Sequence, residues 1–210
     1  MIRHALCLLL VVCPALAATA KDTPATPMSA ASFKGLELRG IGPALMSGRI
    51  AHIEFEPGDP ATWYIAVGSG GVWKTVNAGT TWTPIFDAQG SYSIGTVAID
   101  PSNTSVLYVG TGEDVGGHHV GYGDGVYRSR DGGANWENIG LKGSEHIARI
   151  LVHPKAPDTL FVAAQGPLWS QGGERGFYRT EDGGQTWQRT LGDEAWTGVT
   201  DIVMDPRNPD

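Results

Sequence analysis

The chain has 210 residues, including 30 glycines and 7 tryptophans, and 18% of its residues are charged. It carries too little charge and too many aromatic residues for a disordered protein, and its glycines lack the three-residue period of collagen. The formal net charge of −7, with the Lys and Arg residues scattered, argues against nucleic acid or an anionic membrane as the main partner.

The amino terminus predicts an export signal. Two basic residues precede an apolar run at 5–16, and the small residues around Ala17 and Ala20 fit a signal-peptide cleavage site. The run is too short to span a membrane, which takes about 20 apolar residues. We therefore predict a signal peptide over 1–20, a flexible lead-in over 21–32, and a mature protein that is periplasmic or extracellular.

From about residue 50 onward the sequence repeats. Each repeat predicts a strand that ends before a proline, a second strand after the proline turn, a third strand with an aromatic residue, and a box of the form Ser/Thr-x-Asp/Asn-x-Gly-x-Thr/Asn-Trp. The box tryptophans, at 82, 136 and 187, are 54 and 51 residues apart. Four short strands per roughly 50 residues are typical of a β-propeller blade. We therefore predict an all-β fold, an incomplete β-propeller over 33–210.

The repeat also predicts the blade boundaries. Three complete blades are expected at about 50–93, 94–146 and 147–198, and the first strand of a fourth blade is expected over 199–204. Propellers typically have four to eight blades, because fewer cannot close a ring. We therefore expect the chain to be the amino-terminal part of a longer polypeptide that supplies the remaining blades.

The residue types of the box predict a tight turn. The Asp or Asn side chain can accept hydrogen bonds from backbone amides two residues on, the glycine tolerates a positive φ, and the tryptophan can pack over the hairpin. Asn77 stands in the first box where the others have an acid, so Asp131 and Asp182 are expected to shape the turn rather than to catalyse. The box residues with an expected structural role are Thr75, Asn77, Gly79, Trp82, Ser129, Asp131, Gly133, Trp136, Thr180, Asp182, Gly184 and Trp187.

The box resembles the Asp-box, or BNR repeat, of sialidases, sortilin-type receptors and xyloglucanases. From about residue 33 the chain resembles large secreted bacterial proteins of the sortilin-like BNR-repeat class, which are often labelled glycosyl hydrolases. The stretches that carry this resemblance are 40–43, 48–50, 68–74, 109–113, 121–127, 163–169 and 199–206. The resemblance implies an exported propeller, but it does not imply one activity, because one fold hosts many functions.

Two enzyme classes within this resemblance can be compared with the residues. Xyloglucanases usually carry an acid two positions before a Gly-Gly pair in the first blade, and this sequence has Gly68 there. Sialidases have a Phe/Tyr-Arg-Ile-Pro motif, of which residues 48–51 keep only Arg-Ile. A glycosidase needs two carboxyl groups, so the missing partner would have to come from blades beyond residue 210.

A candidate site lies in the long loop of the second blade, at 112–125. Loops between the second and third strands of successive blades lie on one face of a propeller, where we expect a ligand. The ligand-binding candidates are Arg49, Glu113, Asp114, His118, His119, Trp169, Glu174 and Arg175. Glu113 and Asp124 are weak candidates for catalytic acids, although Glu113 could equally hold the loop backbone and Asp124 could form a turn. We expect no metal and no cofactor, because the adjacent histidines have no third ligand at regular spacing.

Two functions remain open from the sequence. We favour an exported propeller that binds a protein, peptide or glycan through its loop face and is non-catalytic in these residues. The alternative is a glycoside hydrolase, xyloglucanase-like or sialidase-like, whose active site is completed by blades beyond residue 210. The substitution Glu113→Gln separates the two, because it would abolish hydrolysis in the second case and leave binding largely intact in the first.

Overall fold

A computed structural model describes residue 35 and residues 48–114, 120–205 and 207–209. The expected signal peptide and lead-in, together with His118 and His119, lie outside the described residues. No helix within these described ranges is long and apolar enough to cross a bilayer.

The described residues form three four-stranded antiparallel sheets, and each sheet uses four strands that are consecutive in the sequence. The first sheet contains β1 (Ile50–Phe55), β2 (Trp63–Val67), β3 (Gly71–Thr75) and β4 (Thr83–Pro84). The second contains β5 (Ile94–Ile99), β6 (Leu107–Thr111), β7 (Val126–Ser129) and β8 (Glu137–Gly140). The third contains β9 (Ile147–Val152), β10 (Leu160–Ala164), β11 (Gly176–Thr180) and β12 (Gln188–Leu191). A 3-10 turn, Lys142–Ser144, precedes β9. The three sheets are blades of a partial β-propeller, which confirms the expected all-β fold.

The stretch 199–204, where the first strand of a fourth blade was expected, contains no strand. Its first residue, Val199, donates a backbone hydrogen bond to Ala164 O at 3.1 Å, so the segment begins beside the end of β10. The described residues provide no second strand beside 199–204, and a strand ladder needs such a partner.

The first strands of the three blades lie side by side at the inner edge of the fold. β1 contacts β5, and β5 contacts β9. Gly95 on β5 permits this approach, because a Cβ there would lie 2.1 Å from Ile147 O of the next blade. Gly95 therefore marks a close approach between the backbones of neighbouring blades.

Two apolar cores fill the spaces between the blades. The core between the first and second blades includes Tyr64, Val72, Phe86, Val97, Val109 and Tyr127. The core between the second and third blades includes Tyr108, Val126, Leu141, Ile150, Leu160 and Tyr178. Each blade is therefore stabilised by packing against the blade beside it. Apolar side chains that alternate along the strands point to both faces of the sheet and so can pack on either side.

The box residues close the hairpins between the third and fourth strands. Asp131 Oδ1 accepts a hydrogen bond from Asn135 N at 2.8 Å, and Ser129 Oγ accepts one from Gly133 N at 2.9 Å. The same pattern recurs around Asp182 and Asn77. The backbone N–H that donates to the Asp or Asn side chain belongs to the residue four positions on, rather than two as expected. The side-chain oxygen therefore spans the whole turn. The pKa values of Asp131 and Asp182 are lowered mainly by side-chain hydrogen bonds from Asn135 and Thr186, and the backbone hydrogen bonds of the turn lower them further.

The box tryptophans of the second and third blades reach into the preceding blade. Trp136 Nε1–H donates to Ile85 O at 2.7 Å, and Trp187 Nε1–H donates to Ile139 O at 2.8 Å. Trp136 Nε1–H also donates to Gly133 O of its own hairpin at 3.1 Å, so this tryptophan contacts the hairpin, as expected, and the preceding blade as well. The repeated box therefore connects blades as well as strands.

Candidate functional site

Glu113, a predicted catalytic or ligand-binding candidate, is fully buried and paired with Arg49. The guanidinium of Arg49 contacts both carboxylate oxygens, and Nη2 lies 2.6 Å from Oε2. The hydrogen bond and the charge of Glu113 raise the pKa of Arg49. Gly68 leaves room for this pair, because a Cβ there would lie 2.6 Å from Glu113 Oε1. The pair therefore joins the residue immediately before β1 to the long loop of the second blade.

Asp124, the second candidate acid, is also held by internal contacts. Its Oδ2 accepts a hydrogen bond from the Tyr127 hydroxyl at 2.6 Å, and its backbone N–H donates to Thr111 Oγ1 at 2.8 Å. Gly90 packs directly against it, since a Cβ at Gly90 would lie 2.3 Å from Asp124 Oδ2. The geometry thus gives Asp124 a role in shaping the loop.

Glu174 and Arg175, two further ligand-binding candidates, shape the corresponding loop of the third blade. Glu174 Oε2 accepts a hydrogen bond from Gly143 N at 2.7 Å. Arg175 is buried, and its guanidinium donates to carbonyl oxygens within the loop 165–176 at 2.7 Å each. One of these carbonyls belongs to Ser170, which is adjacent to the candidate Trp169. Both charged residues therefore fix the backbone that presents Trp169.

Trp169 lines a groove on the loop face together with a residue that the sequence analysis did not select, Tyr122. The groove, which we call the loop-face groove, is lined by Tyr122, Glu145, Trp169 and Ser170 and has a volume of about 270 Å³. Tyr122 is 58% exposed and Trp169 is 66% exposed. The two rings come from equivalent loops of the second and third blades, so the groove lies across the junction between these blades.

A buried histidine supports one side of the loop-face groove. The His146 ring lies 5.6 Å from the Tyr122 ring, and its Nδ1–H donates to Glu113 O at 2.8 Å. Burial lowers the pKa of His146, so we expect a neutral imidazole at pH 7. Its Nε2 has no hydrogen-bond partner in the described part of the chain. Glu113 therefore contributes to the groove indirectly, through the histidine under Tyr122.

A second polar cluster, not found from the sequence, lies along the inner strands. His52 on β1 donates through Nδ1–H to Val97 O at 2.9 Å and accepts at Nε2 from Arg149 Nη1 of β9 at 2.6 Å. Arg149 Nε also lies 3.3 Å from Asp201 Oδ1. The available signal was the alternation in β1, where His52 and Glu54 separate apolar residues. This cluster joins the inner strands of all three blades.

Two carboxyl groups of this inner region have perturbed pKa values. Burial raises the pKa of Glu54, although the positive charge of Arg149 opposes this. Burial likewise raises the pKa of Asp114, the remaining described ligand-binding candidate, and Arg149 again opposes it. Carboxyl groups with raised pKa values are common at catalytic sites, but they also occur in structural networks. Within the described ranges, no three His, Cys, Asp or Glu side chains are grouped so as to hold a metal ion.

The chain is similar to carbohydrate-active propeller proteins. No family model matches the sequence. A probable oligoxyloglucan-reducing end-specific xyloglucanase of Neosartorya fischeri is 30% identical over 155 residues, which cover 70% of this chain and 18% of that protein. Among solved structures, a GH74 enzyme from Niastella koreensis aligns with a TM-score of 0.52 and 23% identity, over 68% of this chain and 21% of the other. The GH74 xyloglucanase from Xanthomonas campestris aligns with a TM-score of 0.50 and 20% identity, over 70% of this chain and 24% of the other.

These similarities establish a class of fold. The chain shares the β-propeller fold of GH74 xyloglucanases, and it spans about a fifth of the length of the proteins that it matches. The predicted resemblance is confirmed for a β-propeller fold with glycosidase relatives, while the Asp-box and sortilin-like assignment stays a prediction.

Proposed function

We propose that the loop-face groove binds a glycan. The glycan class we propose is xyloglucan, because the names of the similar proteins refer to xyloglucan. The observation that supports this is the pair of exposed rings, Tyr122 and Trp169, on either side of a groove that also contains Glu145 and Ser170. Aromatic faces offer a large, rigid apolar surface to a ligand, while a few polar groups fix its orientation. A carboxylate and a hydroxyl beside two rings match the alternating apolar faces and hydroxyl edges of a sugar chain.

The groove is proposed to bind without cleaving. Glycoside hydrolysis needs two carboxyl groups, and Glu145 is the one carboxylate among the residues that line the groove. Glu113 and Asp124 lie in internal contacts with Arg49 and Tyr127. The proposed setting is outside the cytoplasm, which the amino-terminal sequence supports.

Isothermal titration calorimetry, which measures the affinity for xyloglucan oligosaccharides, tests this proposal. We expect Trp169→Ala to weaken binding by roughly tenfold, about 1.4 kcal/mol, because truncation of a central aromatic residue commonly costs more than 1 kcal/mol. Tyr92→Ala is the matched control, since Tyr92 is also an exposed aromatic residue but does not line the groove. Equal affinities of the wild-type and Trp169→Ala proteins would contradict glycan binding at this groove. Tight binding of a peptide instead of the oligosaccharides would assign the groove to a protein partner.

A second candidate function is glycoside hydrolysis in the inner region. It is favoured by the 30% identity to a probable xyloglucanase and by the raised pKa values of Glu54 and Asp114. In this case the full-length polypeptide releases reducing ends from xyloglucan. We expect Glu54→Gln and Asp114→Asn each to lower that rate by about 100-fold or more, because general acid–base groups contribute roughly 10²–10⁴-fold. Unchanged rates in both variants would exclude these two residues as catalytic acids.

A further inference from the structure

The imidazole of His52 connects the inner strands of all three blades. His52 on β1 donates through Nδ1–H to Val97 O on β5 at 2.9 Å, and its Nε2 lies 2.6 Å from Arg149 Nη1 on β9. β1 contacts β5 and β5 contacts β9, so the imidazole reaches past the middle strand to the third. We call His52, Val97 and Arg149 the inner bridge.

The partners of the inner bridge fix the protonation state of His52. Arginine carries only donors and stays charged, so Nε2 accepts the hydrogen bond from Arg149 as an unprotonated nitrogen. The proton of the neutral ring is therefore on Nδ1, where Val97 O accepts its hydrogen bond. A second proton, on Nε2, would set two N–H groups and two positive charges against each other. The contact between His52 and Arg149 thus requires a neutral imidazole.

Carboxylates around Arg149 offer its guanidinium other partners. Its Nε already lies 3.3 Å from Asp201 Oδ1. Its positive charge also acts on Glu54 and on Asp114, where it opposes the effect of burial on both carboxyl groups. Arg149 therefore has acceptors available when it leaves His52, and a charge that separates from one partner is stabilised by another.

A protonated His52 keeps one of its two strand contacts. Its Nδ1–H still donates to Val97 O, so the ring stays attached to β5. Glu54 lies two positions further along β1 and on the same face, where its negative charge favours an imidazolium. The neighbouring strands add no charge beside the ring, because β5 is Ile-Gly-Thr-Val-Ala-Ile and Ala66 of β2 lies opposite His52.

We infer that protonation of His52 releases β9 from β1, so that the inner edge of the fold opens at acid pH. Arg149 then pairs with Asp201 and the nearby carboxylates, while His52 remains bound to Val97 O. Burial and the positive charge of Arg149 lower the pKa of His52, so the release occurs below the ordinary histidine value of 6.5. Above that pH the neutral ring holds the three inner strands together. This inference depends on the inner bridge alone and is independent of both proposed functions.

Amide hydrogen exchange tests the inference. Peptides of the full-length protein that cover β1 and β9 are followed by mass spectrometry at about pH 7.5 and about pH 5, with rates corrected for the intrinsic effect of pH. We expect both strands to exchange about tenfold faster at the lower pH, which corresponds to about 1.4 kcal/mol, because a hydrogen bond to a charged group is lost. The outer strand β8 is the internal control, and its corrected rate should not change.

Three variants separate the inner bridge from a general effect of acid. His52→Gln keeps a neutral acceptor for Arg149 and does not titrate, so exchange of β1 and β9 should no longer depend on pH. Arg149→Met removes the donor, so fast exchange should already be present at the higher pH. His146→Gln is the matched control, because burial also lowers the pKa of His146 but its contacts are to Glu113 O and Tyr122. It should keep the response of the wild-type protein.

Three results would overturn the inference. The first is a pH response of β1 and β9 that persists in His52→Gln, and the second is equal exchange of the wild-type strands at both pH values. The third is an equal increase in β8, because acid would then loosen the whole fold. If His52→Gln does not fold, Arg149→Met decides, since slow exchange of β1 and β9 in that variant at the higher pH contradicts a bridge through Arg149.

Discussion

The indole hydrogen bonds between blades predict a graded response to one repeated substitution. Trp136→Phe and Trp187→Phe remove the donors to Ile85 O and Ile139 O but keep an aromatic ring. Trp82→Phe is the matched control, because the Trp82 indole makes no hydrogen bond to any described residue. The three variants change the same atoms at equivalent positions of the repeat, so Trp82→Phe differs from the other two in lacking the loss of an interblade hydrogen bond. Trp136→Phe also loses the bond to Gly133 O within its own hairpin, so Trp187→Phe is the cleaner comparison.

The magnitude follows from the loss of one hydrogen bond at a partly buried site. A typical hydrogen bond contributes about 1 kcal/mol net, and a buried carbonyl left without its donor costs about 1–3 kcal/mol. We therefore expect Trp136→Phe and Trp187→Phe each to lower the free energy of unfolding by about 1–3 kcal/mol more than Trp82→Phe does. For a chain of this length, each 1 kcal/mol corresponds to a change in Tm of about 2–4 °C.

Urea unfolding of the 210-residue chain, followed by far-ultraviolet circular dichroism, measures these differences. This signal reports strand content, and it does not depend on the fluorescence of the residue that is replaced. If Trp82→Phe destabilises the chain as much as the other two variants, the indole hydrogen bond does not connect the blades, and the loss comes from ring packing alone.

Two further predictions concern pH and the inner strands. Burial is the main cause that lowers the pKa values of His52 and His146. The stability that these neutral histidines contribute should therefore be complete above the ordinary histidine pKa of 6.5 and should fall as the pH is lowered below it. A Tm that is constant from pH 8 to pH 5 would contradict this. Gly95→Ala should lower the free energy of unfolding by about 1–3 kcal/mol or more, because its Cβ would meet Ile147 O at 2.1 Å. Gly143→Ala is the control for urea unfolding, since a Cβ there would meet the flexible Glu174 side chain at 3.3 Å, and equal effects would refute the assigned contact.

The sequence predicted the blades because the fold is repeated locally. The prolines, the box turns and the tryptophan spacing mark each strand within one 50-residue unit, and the three sheets follow this order. Contacts between units have no such local signal. The bond from Trp136 to Ile85 O spans 51 residues, and the bond from Arg149 to His52 spans 97. The sequence therefore placed the hairpins but not the interblade hydrogen bonds or the inner polar cluster.

The candidate site was harder to predict, because a charged loop residue can bind either a ligand or the backbone of its own loop. Glycine-rich loops leave many backbone carbonyls and amides that need partners. Arg175 donates to three such carbonyls, and Glu174 accepts from one amide. The charged residues that looked most reactive in the sequence are therefore engaged by the loops that carry them. Tyr122 was not selected, because nothing in its neighbouring residues shows that it faces Trp169 across a blade junction.

This distribution of roles favours recognition through aromatic surfaces rather than through charge. The charged side chains near Tyr122 and Trp169 are engaged in internal contacts, and the two rings are exposed. Rigid rings lose little conformational freedom when a ligand binds, which improves affinity without further contacts. Glu113→Gln then discriminates between roles. The substitution keeps the backbone carbonyl that His146 contacts and changes only the carboxylate that pairs with Arg49. A direct contact between the carboxylate and the ligand would lower affinity while Tm is unchanged, whereas a supporting role through the Arg49 ion pair would make affinity and Tm fall together.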